Sequence, residues 1–265
     1  MRTIREILNA LQTGELTLEK AEKLLQAASL APIGDIGMLD VKREERSGIP
    51  EVVYAETKVI EDLIEITKTI ISKNGIALLT RVDATKVNAL TEALRDFELV
   101  VYGAHDYHTI LANHIDWTPT HKGGKIAILT AGTSDIPYAH EAEAVAQVMG
   151  VEVLKFYDVG IAGIHRLIEP MQKIIEEDVD SIIVFAGMEG ALPTVVASLV
   201  DIPVIGVPVP TGYGYMGKGK TALASMLQSC SPGLAVVNIG NGLGAGAIAC
   251  LIARRSTRKS TSSQE

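Results

Sequence analysis

Apolar residues first recur at helical spacing. Ile4, Ile7, Leu8 and Leu11 share one face over residues 2–12, Gly14 interrupts, and Leu18, Ala21, Leu24 and Leu25 resume the pattern, which predicts a helical hairpin. A charged stretch, Asp40 to Arg46, then runs into Gly48-Ile49-Pro50, a turn before the extended run 51–54. From there the pattern predicts strands at 52–55, 76–80 and 99–102 and amphipathic helices over 60–72 and 84–97. Pro119, Gly123 and Gly124 read as a linker. Beyond it the chain alternates regularly, with apolar runs at 126–129, 151–156, 181–185, 204–207 and 235–239, each followed by a helix-length segment.

Five successive βα units predict an α/β fold, with a doubly wound C-terminal parallel sheet of about five strands, Rossmann-like or flavodoxin-like. A smaller N-terminal α/β domain and the helical hairpin precede it. The expected division is 1–34 for the hairpin, 35–120 for the small domain, 121–254 for the catalytic domain and 255–265 for a disordered polar tail. Ligands of such sheets bind beyond the carboxyl ends of the strands, so the loops after each run carry the candidate chemistry.

A net charge of -8 argues against a nucleic-acid partner, and no apolar run is long enough for a bilayer. The start of the chain has no apolar signal core, so a cytoplasmic location with reduced cysteines is expected. Two cysteines and six scattered histidines give no metal-ligand spacing, and no metal site is expected.

After the first C-terminal strand, Gly132, Thr133, Ser134 and Asp135 form a small polar turn that either caps a helix or holds a phosphate. His165 beside Arg166 follows the second strand as either a titratable pair or a solvated one. Glu189 sits between Gly187 and Gly190 after the third, either in catalysis or on a helix dipole. The fourth loop, Gly214-Tyr215-Met216-Gly217-Lys218-Gly219-Lys220-Thr221, matches the Walker A pattern, but the next strand ends Val236-Val237-Asn238 without the acid that would hold Mg²⁺. A lid whose Lys218 or Lys220 meets an anion is the better reading. Cys230 is either a buried inert thiol or a nucleophile, and Cys250, in an Ala-rich run, is core packing. Asn238, Asn241 and Gly242 lie at the last strand-to-helix turn, where Asn241 reads a ligand or satisfies the turn.

Gly132-Thr133-Ser134-Asp135, the loop 186–193 and Val204-Ile205-Gly206-Val207-Pro208 resemble the successive loops of the phosphoribosylaminoimidazole carboxylases. Gly163-Ile164-His165-Arg166, Ser229-Cys230-Ser231-Pro232-Gly233, Asn241-Gly242-Leu243-Gly244 and the N-terminal Arg46-Ser47-Gly48-Ile49-Pro50-Glu51 resemble the LarB family more narrowly. Where LarB-type proteins read Asp-Asn-Gly-Phe, this chain has Gly240-Asn241-Gly242-Leu243.

The resemblance implies a carboxylase and hydrolase that converts nicotinic acid adenine dinucleotide and CO₂ or bicarbonate to pyridinium-3,5-biscarboxylate mononucleotide and AMP, the first step of nickel-pincer nucleotide synthesis. In that reading Cys230 is the nucleophile, Glu189 or His165 the base, and Ser134 and Asp135 hold ribose or phosphate. Arg166 and Lys220 offset charge, and Arg46, Glu51 and Lys58 complete the adenylate side. No permanently bound cofactor is expected, Mg²⁺ being reserved for the hydrolytic step, and the partner is a second copy of the chain in a homo-oligomer such as an octamer. The competing readings are an aminoimidazole-ribotide carboxylase of purine synthesis, a P-loop hydrolase and a non-catalytic nucleotide-binding regulator.

Overall fold

The computed structural model describes residues 4–28, 30–33, 37–40, 42–104 and 106–262. Helices α1 (Ile4–Gln12) and α2 (Leu18–Ala28) form the N-terminal hairpin, with Ile7, Ala10 and Ala21 buried between them and their neighbours. Strands β1 (Leu30–Ile33) and β2 (Gly37–Asp40) pair antiparallel, and the short helix α3 (Arg43–Ser47) ends where Gly48 takes a left-handed turn. None of these last three elements shows a periodic apolar pattern, because each is only four or five residues long.

The N-terminal sheet contains β3 (Val52–Tyr54), β4 (Ile76–Val82), β5 (Glu98–Ala104) and β6 (Tyr107–Asn113), in the order β3-β4-β6-β5. Helices α4 (Ile60–Asn74) and α5 (Ala84–Ala93) cover one face through Leu63, Ile66, Ile70, Ile71 and Leu90. Strand β6 departs from the pattern reading, which placed nothing between 102 and the linker. It is an interior strand in which buried Thr109 and Asn113 interrupt what would otherwise be an apolar run. Helix α5 stops at Ala93, short of the expected Phe97.

The C-terminal sheet is wholly parallel: β7 (Lys125–Thr130), β8 (Glu152–Phe156), β9 (Ser181–Ala186), β10 (Val204–Pro208) and β11 (Leu234–Val236), ordered β11-β10-β9-β7-β8. Helices α6 (Ile136–Met149) and α10 (Gly242–Ser262) lie on one face, and α7 (Ile168–Glu176), α8 (Leu192–Ala197) and α9 (Lys220–Leu227) on the other. This is the doubly wound, flavodoxin-like order. Strand β11 is shorter than expected, ending at Val236, although the Val237 amide still donates to the Gly206 carbonyl of β10. The tail expected to be disordered from residue 255 is instead helical to Ser262. Nothing from Arg254 to Ser262 is a helix breaker. Residues 263–265 of that tail lie outside the described residues.

The two sheets share a core. Ile76, Leu78 and Leu111 of the N-terminal sheet pack in one cluster with Ala142, Val145, Ala146 and Met149 of α6, whose other side meets Ile126, Ile128, Ile183 and Phe185. Helix α6 is therefore buried between two sheets, and its alanines let both approach. Helix α10 lies beside it so closely that a Cβ at Gly246 would stand 2.8 Å from the Ala142 Cα. Gly246→Val should overpack this contact and cost about 1–3 kcal/mol. Chemical denaturation should show the lower midpoint; an unchanged midpoint would mean that the helices are not this close.

Candidate active site at the carboxyl ends of the parallel sheet

Strands β7 and β9 are neighbours in the sheet, and the helices that follow them, α6 and α8, lie on opposite faces, so the loops leaving β7 and β9 diverge. A cavity of about 430 Å³ opens at this switch point, lined by Gly132, Ser134, Asp135, Gly187, Glu189 and Thr211 among others. Asp135 organises it. Its side chain is only 3% exposed. One carboxylate oxygen accepts the Gly132 N–H at 2.9 Å, and the other accepts the Thr211 hydroxyl at 2.9 Å. The Gly187 N–H donates to the same group. One buried carboxylate thus joins the loops after β7, β9 and β10. Burial pushes its pKa above the ordinary 3.8, against the opposing pull of these hydrogen bonds. Gly187 makes the arrangement possible, since a Cβ there would stand 2.7 Å from the Thr211 hydroxyl.

Glu189 is exposed at the cavity lip. It is presented by a tight turn in which the Gly190 N–H reaches the Gly187 carbonyl and Met188 takes a positive φ of 50°. A bulky residue in that region stores strain, and a second such residue, Asp158, lies in the loop after β8. Gly190 itself is buried against α9. Ser134 lines the cavity, while Thr133 is exposed on the outer side of the same turn.

The remaining residues singled out from sequence do not line this cavity. His165 is exposed, three residues beyond the lining Ala162, and Arg166 is committed to Asp158 at 2.6 Å. Lys220 is exposed at the start of α9. The Thr221 hydroxyl, which a P-loop would use for Mg²⁺, donates instead to the Met216 carbonyl. Tyr213, 80% exposed, leans over the cavity as part of its lining, and Tyr215 is fully exposed on the same loop. Cys230 is exposed in the segment between α9 and β11. Its neighbours Ser229 and Ser231 hydrogen-bond to Thr194 of α8, the helix that leaves the Glu189 loop. Cys250 is buried, its thiol pushed up to about 12 by burial.

Asn238 accepts the Ile239 N–H, and Asn241 caps α10 by accepting the Gly244 N–H at 2.8 Å, so both satisfy the turn. Gly242 packs against the Tyr138 carbonyl. Arg46 pairs with Asp40 at 2.5 Å, and Glu51 with Arg43 at 3.2 Å. Lys58 follows β3 in the turn whose amide meets the Ala55 carbonyl. Among the described residues no group of three or more His, Cys, Asp or Glu could hold a metal, and no helix is long and apolar enough to cross a membrane.

Sequence reasoning missed a second constellation. Glu141 of α6, 1% exposed, accepts from the Tyr107 hydroxyl at 2.9 Å and the Leu243 N–H at 3.1 Å, and lies 3.6 Å from Arg81 Nε. Arg81 also donates to the Gly240 carbonyl at 3.0 Å and lies over the rings of Tyr54 and Tyr107. This network fixes the first turn of α10 to the N-terminal sheet. The available signal was a glutamate inside the apolar run of α6.

The model of the AIR carboxylase family matches residues 125–264, and that of the LarB/PurE-like N-terminal domain matches residues 32–106. An uncharacterised protein of Methanocaldococcus jannaschii is 46% identical over 96% of this chain and 98% of its own length. N5-carboxyaminoimidazole ribonucleotide mutases of the same organism and of Thermotoga maritima are 35% and 32% identical, over 43% and 48% of this chain and 68% and 74% of their own lengths. The cavity built around Gly132–Asp135 and Glu189 falls within the matched carboxylase region. The chain belongs to the AIR carboxylase family and carries a LarB/PurE-like N-terminal domain ahead of its catalytic sheet.

Proposed function

We propose that the chain carboxylates the pyridinium ring of nicotinic acid adenine dinucleotide and hydrolyses its phosphoanhydride, releasing pyridinium-3,5-biscarboxylate mononucleotide and AMP as the first step of nickel-pincer nucleotide synthesis. The observation that carries this reading is the pairing, in one chain, of an AIR-carboxylase cavity with a LarB/PurE-like N-terminal domain. An aminoimidazole ribotide is already enamine-like and needs no nucleophile. A pyridinium ring is electron-poor and does. Addition of the Cys230 thiolate to the carbon next to C5 gives a dihydropyridine, whose C5 attacks CO₂. A base then takes the C5 proton, the thiolate leaves with the C–S bonding pair, and aromaticity returns. Water attacking the anhydride phosphorus completes the second step.

Glu189, at the cavity lip, is the base that this geometry favours over His165. Asp135 and Ser134 hold the ribose phosphate side, and Tyr213 stacks on the ring. Cys230 lies outside the cavity of its own chain. The reading therefore requires an assembly, such as an octamer, in which Cys230 of a second copy reaches the cavity mouth. The mutase relatives favour a second reading, purine-pathway carboxylation of aminoimidazole ribotide.

Incubation with nicotinic acid adenine dinucleotide and ¹³C-bicarbonate should yield labelled dicarboxylated mononucleotide and AMP, read by mass spectrometry, and Cys230→Ala should yield neither. Turnover of aminoimidazole ribotide alone would decide for the second reading. Glu189→Gln should lower the carboxylation rate by about 10²–10⁴-fold, while His165→Gln keeps most of it. The pH profile tests Asp135. Three donors point at its carboxylate, so its ionised form holds the loops together, and activity should fall as the pH drops through its raised pKa. The part of the acid limb that Asp135 contributes should lie above 3.8 and be absent in Asp135→Asn, whose activity is low throughout.

A further inference from the structure

At the amino end of the parallel sheet lies a second and larger concavity, of about 930 Å³. Its walls come from α3, the last turn of α4, Lys122 before β7, and the second half of α10. Among the described residues six cationic side chains line it, Lys42, Arg46, Lys73, Lys122, Arg254 and Arg255, against one carboxylate, Glu44. This concentration stands on a chain whose net charge is -8. Local partners offset part of it: Lys122 pairs with Glu44 at 2.5 Å, Arg46 with Asp40, and Arg254 donates to the Gly48 carbonyl. Lys73 and Arg255 are exposed and pair with no carboxylate of the described residues.

Like charges gathered round one concavity repel one another, and a multivalent anion among them relieves that repulsion while gaining charge-assisted hydrogen bonds. The volume suits a small molecule, and the acidic surroundings disfavour a nucleic acid, which needs a continuous basic face. We propose that this concavity is a binding site for a small molecule bearing two or more linked phosphates. Arg254 and Arg255 supply planar forks for phosphate oxygens, and Lys73 and Lys122 supply point charges from the facing wall. The site is separated from the Asp135 cavity by roughly 16 Å, the length of β7, so its ligand does not touch the reacting atoms. It joins α3 and α4 to α10, and the bound phosphates hold the N-terminal part against the catalytic sheet. The inference does not rest on the proposed carboxylation.

The test is calorimetric titration of the full chain with tripolyphosphate and, separately, with ADP. One site per chain is expected, with affinity falling as salt is added, and Lys73→Ala/Arg255→Ala should weaken it by about tenfold or more. Both residues are exposed, so the unliganded thermal midpoint of the variant should match that of the wild type. Asp135→Asn should leave binding intact. Binding of both probes identifies a phosphate-reading site, and binding of ADP alone adds a contact to the nucleoside. Absence of binding by the wild type, equal affinity in the double variant, or loss of binding in Asp135→Asn would overturn the proposal.

Discussion

The structure depends on one helix being buried from both sides. Helix α6 has the parallel sheet on one face and the N-terminal sheet on the other, and short side chains along it, Ala139, Ala142, Ala144 and Ala146, set how near each sheet comes. Asp135 stands at its N-cap, so the position of the candidate cavity is tied to the position of the N-terminal sheet. Glu141, nearly two turns further on, gives the same helix a polar anchor to Arg81, Tyr107 and the start of α10. A buried ion pair of this kind contributes little net stability, while its hydrogen bonds satisfy the polar groups that the two sheets bury between them.

The same economy appears in the cavity. Three loops that leave different strands converge because one carboxylate accepts from all of them. The site then offers a buried acid, an exposed carboxylate at its lip and a tyrosine above, which suits binding a ring and moving a proton on it. The serines on either side of Cys230 hydrogen-bond to Thr194 of α8, which ties its segment to this region.

Most of the parallel sheet was legible in the sequence, because its interior strands β7, β9 and β10 are buried on both faces and read as apolar runs, while the edge strands β8 and β11 are more exposed and were legible mainly from their place in the alternation. The loops at Gly132–Asp135 and Gly187–Gly190 were legible for the same reason, since small polar residues follow each run directly. Strand β6 was not, because Thr109 and Asn113 break its pattern. Nor was the link between Arg81 and Glu141, which spans two domains and leaves no local trace beyond a glutamate among alanines. Asn241 shows the opposite case: its residue type fits either a ligand contact or a cap, and only the structure shows that its carboxamide oxygen accepts the Gly244 amide as a cap. The six cations of the basic concavity are scattered along the chain and gather only when α10 folds back over α3 and α4.

The shared helix also sets an order of events during synthesis. The N-terminal sheet is complete once Asn113 has emerged, but its inner face gains its cover only when the chain has emerged through Met149. At typical elongation rates this interval lasts about 2–7 s. Throughout it Ile76, Leu78 and Leu111 face the surroundings of the ribosome. A nascent chain of this protein thus carries an apolar sheet surface for seconds, a period in which a chaperone or a neighbouring nascent chain competes with α6 for the same face.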